Sequence, residues 1–253
     1  MKNKTKYETA VTQTLSHHRS VRSFTGDPVP DEMLHTILDA ARRSPTSSNM
    51  QTYSIIIVRD PDVRQKLAVL AGNQSHITDC DVFVGFLADI NRLGLAMQLH
   101  DQTLAPSLEL SLVATIDAAL VGMSVQTAAE SFGLGAVMIG GMRNHPQEVA
   151  HLLGFPPGVY MVYGMSIGWP KSPTDPDNLK PRLPAQLVIH HEQYDQTDPL
   201  PLITEYDAQL AEFYGHDRNQ HPAAWSGPIA SRLNQPKRPH LRPTLTNMGF
   251  NFD

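Results

Sequence analysis

Cysteine occurs once in the 253 residues, at Cys80, so the chain can form no internal disulfide and no metal site built from several thiolates. Redox chemistry, if the chain performs any, must therefore be carried by a cofactor. The sequence contains no G-x-x-x-x-G-K-[ST], and Gly133-Leu134-Gly135 lacks the third glycine of a dinucleotide fingerprint, so neither a P-loop nor a Rossmann phosphate turn is present. It also lacks a G-x-S-x-G elbow, which leaves a hydrolase reading little support. No H-E-x-x-H exists either. The densest of its twelve histidines, His190-His191-Glu192, would point alternately to opposite sides of a strand, so no metal is expected. Positive charge is not in excess. A net charge of -5 argues against a general nucleic-acid binder. The N-terminal stretch MKNKTKYETAVTQ is polar and does not read as a secretory signal. The longest apolar window, 108–125, is interrupted by Glu109, Ser111, Thr115, Asp117 and Ser124 and reads as a buried helix, not a membrane span. A cytoplasmic protein is the expectation.

What is present is an ordinary globular composition, 41% hydrophobic and 18% charged, in a chain long enough for a substantial core. After Pro28-Val29-Pro30-Asp31, apolar residues at Met33, Leu34, Ile37, Leu38 and Ala41 are spaced as an amphipathic helix ending near Arg43. The runs 54–58 and 82–88 read as buried strands, with a helix over 62–71 between them. The pattern predicts a long helix over 108–132, stopped at Gly133, then a strand at 136–139, a short helix at 147–153 and a strand at 160–167. Beyond Pro170 the chain is proline-rich with one helical segment at 202–214. Trp225, Leu233, Leu241, Phe250 and Phe252 would be wasted in a disordered tail, so this stretch reads as an arm that packs on a partner subunit. The alternation is α+β or mixed α/β around one sheet.

The stretch His18-Arg19-Ser20-Val21-Arg22 concentrates cations and a hydroxyl suited to a phosphate. If helical, Arg19 and Arg22 share a face; if extended, they point to opposite sides. Other polar groups stand without an acid, base or nucleophile arrangement: the loop Thr46-Ser47-Ser48-Asn49 with Gln51, Gln74 after Gly72-Asn73, the strand-end Gly140-Gly141, and Lys180-Pro181-Arg182. Each alone has a plain structural explanation as turn or solvated surface. Together they supply cations and hydroxyls for a phosphate, an amide for a pyrimidine edge and glycines that let backbone N–H groups approach a ring. Those are the needs of a flavin mononucleotide, a cofactor that carries its own chemistry.

The order H-R-S-V-R-x-F, T-S-S-N-x-Q, G-N-Q, V-M-I-G-G-M-R-N, G-W-P and L-K-P-R-L-P resembles the nitroreductase family, in its branch of oxygen-insensitive NADPH nitroreductases and NADPH-flavin oxidoreductases, over about residues 10 to 225. The resemblance implies an α+β fold with a central mixed sheet wrapped by helices, a single FMN-binding domain over 1–253 whose 171–253 extension embraces the other subunit, and an intertwined homodimer with FMN at the interface. His18, Arg19 and Ser20 would hold the FMN phosphate, with Lys180 and Arg182 completing the positive pocket. Arg22 would face the N1/O2 edge, where a cation stabilises the reduced ring, and Gln74 would read the pyrimidine edge. Thr46, Ser47 and Ser48, with Gln51, would reach the ribityl and ring from the other subunit. Ile139, Gly140 and Gly141 would present N–H groups near O4 and N5. Hydride would pass from NADPH, or NADH, to the flavin and in a second step to a nitroaromatic, a quinone or free flavin. Arg218 is the candidate for the NADPH 2′-phosphate. Asn49 and Met138 depart from the aromatic residues common at these places in the branch and bear on acceptor preference. A specialised flavoenzyme of the same fold, a flavin-binding or sensing protein without turnover and a binder of phosphorylated metabolites are the alternatives.

Overall fold

The computed structural model describes residues 7–172, 175, 178–215 and 223–252. In chain order its helices and strands are α1 (Ala10–Ser16), α2 (Asp31–Ala41), β1 (Tyr53–Val58), α3 (Pro61–Leu70), α4 (His76–Asp79), β2 (Val82–Asp89), α5 (Asn91–Gln98), α6 (Leu108–Ser131), β3 (Gly135–Ile139), α7 (Pro146–Leu153), β4 (Val159–Gly168), α8 (Leu200–Tyr214), α9 (Ser226–Leu233) and α10 (Leu241–Asn247). Local chemistry sets several of these boundaries. Thr9 and Thr12 form a reciprocal capping box at α1, and Asp60 accepts from the N–H groups of Asp62 and Val63, with Pro61 opening α3. Gly154, at φ 70°, closes α7 in the left-handed region.

The strands form one sheet in the order β1-β2-β4-β3. All its strand pairs are antiparallel. The α+β architecture is as expected, and the mixed character reduces to one isolated parallel bridge, Ser20 to Ala136. Strand direction depends on distant connections that the local pattern does not encode. Both central strands, β2 and β4, are buried along their whole length, which is why they read as continuous apolar runs. Val82, Val84, Phe86 and Ala88 share one core with Leu34 and Ile37 of α2 and Ala118, Val121 and Val125 of α6. Phe83 and Leu87 share a second with Leu67, Ile77 and Val149 from α3, α4 and α7. A register shift between Phe86 and Leu87 leaves Val162 of β4 without a partner position, a bulge.

The long helix departs from its expected burial. On one face α6 buries Ala114, Asp117, Val121, Val125 and Gln126, while Leu108, Leu112, Ile116, Leu120 and Met123 form an exposed apolar stripe on the other. By length and composition alone it could cross a membrane, yet its inner face packs on β2 and α2. Residues 175–237 form a second compact unit, while the chain from Arg238 rejoins the first. Hydrophobic burial accounts for the return: Leu245, Met248 and Phe250 enter the first core, and the Phe250 ring meets Tyr160 edge-on at 4.8 Å. The second unit is organised by Asp207, which accepts from the Trp225 and Ser226 N–H groups and the Ser226 hydroxyl at the start of α9.

Gly122 fixes how closely α6 approaches the sheet, since a Cβ there would lie 1.8 Å from the Tyr163 hydroxyl oxygen. Gly122→Ala gains about 1 kcal/mol of helix propensity, but a contact so far inside van der Waals range brings an overpacking penalty of about 1–3 kcal/mol. The clash outweighs the gain in propensity. Urea unfolding is expected to show a net loss of about 1 kcal/mol or more; equal or greater stability would show that α6 can lift freely.

Candidate functional site

The basic segment is extended. Val21 donates its N–H to the Ala136 carbonyl, Thr25 to Trp169, and Lys171 returns a bond to Ser23, so residues 20–25 run along β3 and the end of β4. Gly135 makes the approach possible, because a Cβ there would lie 2.6 Å from that of Val21. The extended chain places Arg19 and Arg22 on opposite sides. Arg19 donates to the Ser172 carbonyl and lines a cavity of about 370 Å³ with His17, Glu130, Gly133 and Gly135. Ser20 and Arg22 are exposed on the surface. His18 is held from behind by α6: its Nδ1 lies 2.6 Å from Glu130 Oε1 and 2.8 Å from the Gln126 amide.

Gln74 is set by the sharp turn after α3, where Gly72 and Asn73 have φ of 90° and 60°. Its amide donates to the Ala71 carbonyl at 2.8 Å. That amide lies against the turn after β3, since a Cβ on Gly141 would stand 2.7 Å from Gln74 Nε2 and 2.5 Å from the Ala71 oxygen. The structure thus brings Gln74, Gly140 and Gly141 together beside buried Ile139. Met138 is 43% exposed on the same edge strand.

His76, two residues beyond Gln74, was not singled out in the sequence. It is buried, and its Nε2 has no hydrogen-bond partner among the described residues. Burial and then the positive charge of Arg22 push its pKa below the ordinary 6.5, partly opposed by Asp79. Arg22, remote in sequence, is thus close enough to disfavour a charge on His76.

The hydroxyl loop sits elsewhere. Asp117 of α6, 1% exposed, accepts from the Ser47 N–H at 3.1 Å, the Thr52 N–H at 3.1 Å and the Thr52 hydroxyl at 2.7 Å. Between these anchors Ser48, Asn49 and Gln51 all have positive φ, a conformation that costs non-glycine residues about 1 kcal/mol or more each. Ser47, Ser48, Asn49 and Gln51 are exposed, and Thr46 is half-buried. This loop leads into β1, whereas Gly140 and Gly141 follow β3 at the other edge of the sheet. Three strand spacings separate the edges, about 14 Å.

Lys180 and Arg182 belong to the second unit. There Lys180 Nζ stands 4.9 Å from the Tyr214 ring centroid, and Arg182 donates to the Lys180 carbonyl. Arg218 lies outside the described residues.

Residues 15–169 match the model of the nitroreductase family, and residues 180–253 match that of the nitroreductase family C-terminal domain. The chain belongs to the nitroreductase family. It is 39% identical over 248 residues to an oxygen-insensitive NADPH nitroreductase of Salmonella typhimurium, covering 94% of this chain and 97% of that protein. An FMN reductase [NAD(P)H] of Bacillus subtilis is 38% identical, with 96% and 98% covered. Among solved structures, NfrA2 of B. megaterium superposes with a TM-score of 0.90 at 38% identity, over 97% of this chain and 100% of that one.

His76 also yields a pH dependence. Its folded-state pKa lies below 6.5, so the unfolded chain takes up a proton first as pH falls, and the folded state loses stability below about pH 6.5. Between about pH 7 and pH 5.5, wild-type protein is expected to lose more stability in urea than His76→Gln does. Equal losses would show that His76 does not contribute to the pH dependence.

Proposed function

We propose that the chain is an FMN-dependent oxidoreductase that takes hydride from NADPH or NADH and reduces nitroaromatics, quinones or free flavin, working as a homodimer. The observation that carries this reading is the Gln74 amide seated on the Gly140-Gly141 turn, next to His76, which the Arg22 charge reaches. The residues fit FMN by the donors they bring together. Gly141 packs directly on the Ala71–Gln74 turn and so holds the Gln74 amide beside the strand end, and the donors present are the cations, hydroxyls and amide that a phosphate and a pyrimidine edge need. The chemistry that FMN supplies when bound is acceptance of hydride from the nicotinamide and its delivery, in a separate second step, to the acceptor.

The chain's own residues bind and polarise. His18, Arg19 and Ser20 take the phosphate, Arg22 the N1/O2 edge, and Gln74 the pyrimidine edge. Arg22 stabilises the negative charge that develops there. Ile139, Gly140 and Gly141 offer backbone N–H groups. Met138 and Asn49 stand where aromatic residues are common in the branch and bear on which acceptors are taken.

Two features support the dimer. Thr46, Ser47, Ser48 and Gln51 lie at the sheet edge opposite Gln74, so one chain does not gather the whole donor set. The exposed stripe of α6 adjoins Val11 and Leu15 of α1 across an apolar groove of about 720 Å³, a surface larger in apolar character than a lone soluble chain tends to leave open. A second copy covering it brings the hydroxyl loop of one subunit to the other's flavin.

Anaerobic mixing of FMN-loaded protein with NADPH is expected to bleach the oxidised flavin band, and a nitroaromatic or quinone to restore it. A band that stays yellow with both NADPH and NADH would overturn the enzyme reading. For the assembly, Leu120→Glu is expected to give a monomer by sedimentation that retains its fold by circular dichroism but loses FMN. A monomer that binds FMN as tightly as wild type would show the site to be complete within one chain.

A further inference from the structure

The hydroxyl loop is tied to one helix at both of its ends and once before it begins. Ser44 donates its hydroxyl to Ser124 Oγ of α6 at 2.6 Å. The Ser47 N–H and the N–H and hydroxyl of Thr52 all reach the carboxylate of Asp117, seven residues earlier on the same helix. On local grounds Asp117 is a poor choice for that position. Aspartate ranks low as a helix former, and burying a carboxylate is costly where a packed apolar side chain would serve. The segment it pins is strained as well, with Ser48, Asn49 and Gln51 at φ of 47°, 56° and 51°. A loop needed only to join α2 to β1 could carry glycine there at no steric cost. Strain held in place by its surroundings gathers where a ligand must meet a fixed arrangement. On the outer side of α6, Ile116 and Leu120 belong to the exposed apolar stripe, so the helix grips the loop with one face and offers open surface with the other.

We propose that Asp117 is a positioning residue that acts across the dimer. Seated on the other subunit through its outer stripe, α6 carries the loop with it. Asp117 is the link that delivers Ser47, Ser48 and Gln51 in one fixed pose to the other subunit's FMN. The inference rests on the dimeric FMN reading. It makes a demand that a purely structural role does not: damage at Asp117 is felt at the flavin of the opposite chain, not at that of its own.

The test uses full-length chains carrying two different tags, co-expressed so that mixed dimers can be purified, with FMN affinity and stoichiometry read by quenching of flavin fluorescence. Arg19→Ala with Arg22→Ala damages a chain's own flavin site, and Asp117→Asn loosens the loop that a chain lends. Homodimers of either variant are expected to bind FMN roughly 10- to 100-fold more weakly than wild type. With the two changes on opposite chains, one site per dimer is expected to bind as in wild type, because the Asp117→Asn chain keeps its own cations and receives an intact loop. With both changes on one chain, opposite a wild-type chain, no such site is expected. The reverse pattern would show Asp117 to act within its own chain and overturn the proposal, as would Asp117→Asn homodimers that bind FMN as wild type does. Should Asp117→Asn fail to fold, Thr52→Val removes only the hydroxyl bond and takes its place in the same pairings, with an expected weakening of roughly 2- to 10-fold. Wild type that takes up no FMN, or arginine variants that bind it normally, would instead sink the reading of the cofactor site, and this inference with it.

Discussion

The buried carboxylate of Asp117 organises more of this molecule than any other single group. Withdrawing a carboxylate from water costs several kcal/mol unless its lone pairs are filled. Here the donors come from Ser47 and Thr52, at the two ends of the hydroxyl loop. The bonds run both ways. They make it tolerable for α6 to carry a charge against the sheet, and they pin both ends of a segment whose backbone is left-handed at three non-glycine positions. With that anchor in place, the same helix presents Gln126 and Glu130 to His18 further along, and turns its remaining apolar side outward. One helix thereby serves as core wall, loop anchor, histidine support and exposed hydrophobic surface.

Much of the secondary structure was legible because the two central strands are buried on both faces and betray themselves as apolar runs. The expected strands at 54–58, 82–88, 136–139 and 160–167 agree with β1 to β4 to within a residue or so at each end. The long helix was legible in extent but not in environment. Apolar residues all around a helix look the same whether the outer half meets the chain's own core or a surface left open. The short helices α1, α4, α5, α9 and α10 span eight residues or fewer, too few turns for an apolar stripe to stand out, and were not marked by the pattern.

The candidate site divides along the same line. The cations and hydroxyls of 18–22 could be found from composition alone, but whether Arg19 and Arg22 share a face depended on whether that stretch is helix or strand. The answer came from Ala136 and Trp169, more than a hundred residues away. His76 lay only two positions from Gln74, yet a lone histidine carries no local mark of being buried and unpartnered. Glu130 did leave a trace, an acidic residue in the last turn of a helix, where the dipole gives it no reason to be. Lys180 and Arg182 were legible as cations, while their setting against α8 is a property of a separate compact unit.

The first unit is discontinuous in sequence, since its core is closed by Leu245, Met248 and Phe250 after the chain has spent 175–237 elsewhere. A growing chain on the ribosome therefore cannot seal this core until residues 245–250 have emerged, after the whole of the intervening unit. The sheet and its flanking helices must wait with an apolar gap beside Tyr160 while the intervening unit is being made. Contacts of such long sequence separation form slowly, and a partly closed core is the state most exposed to wrong association during synthesis. The segment from Arg238 onward thus acts as a timing element of biosynthesis, and a chain without Leu245, Met248 and Phe250 would be left with its sheet and helices assembled and its seam open.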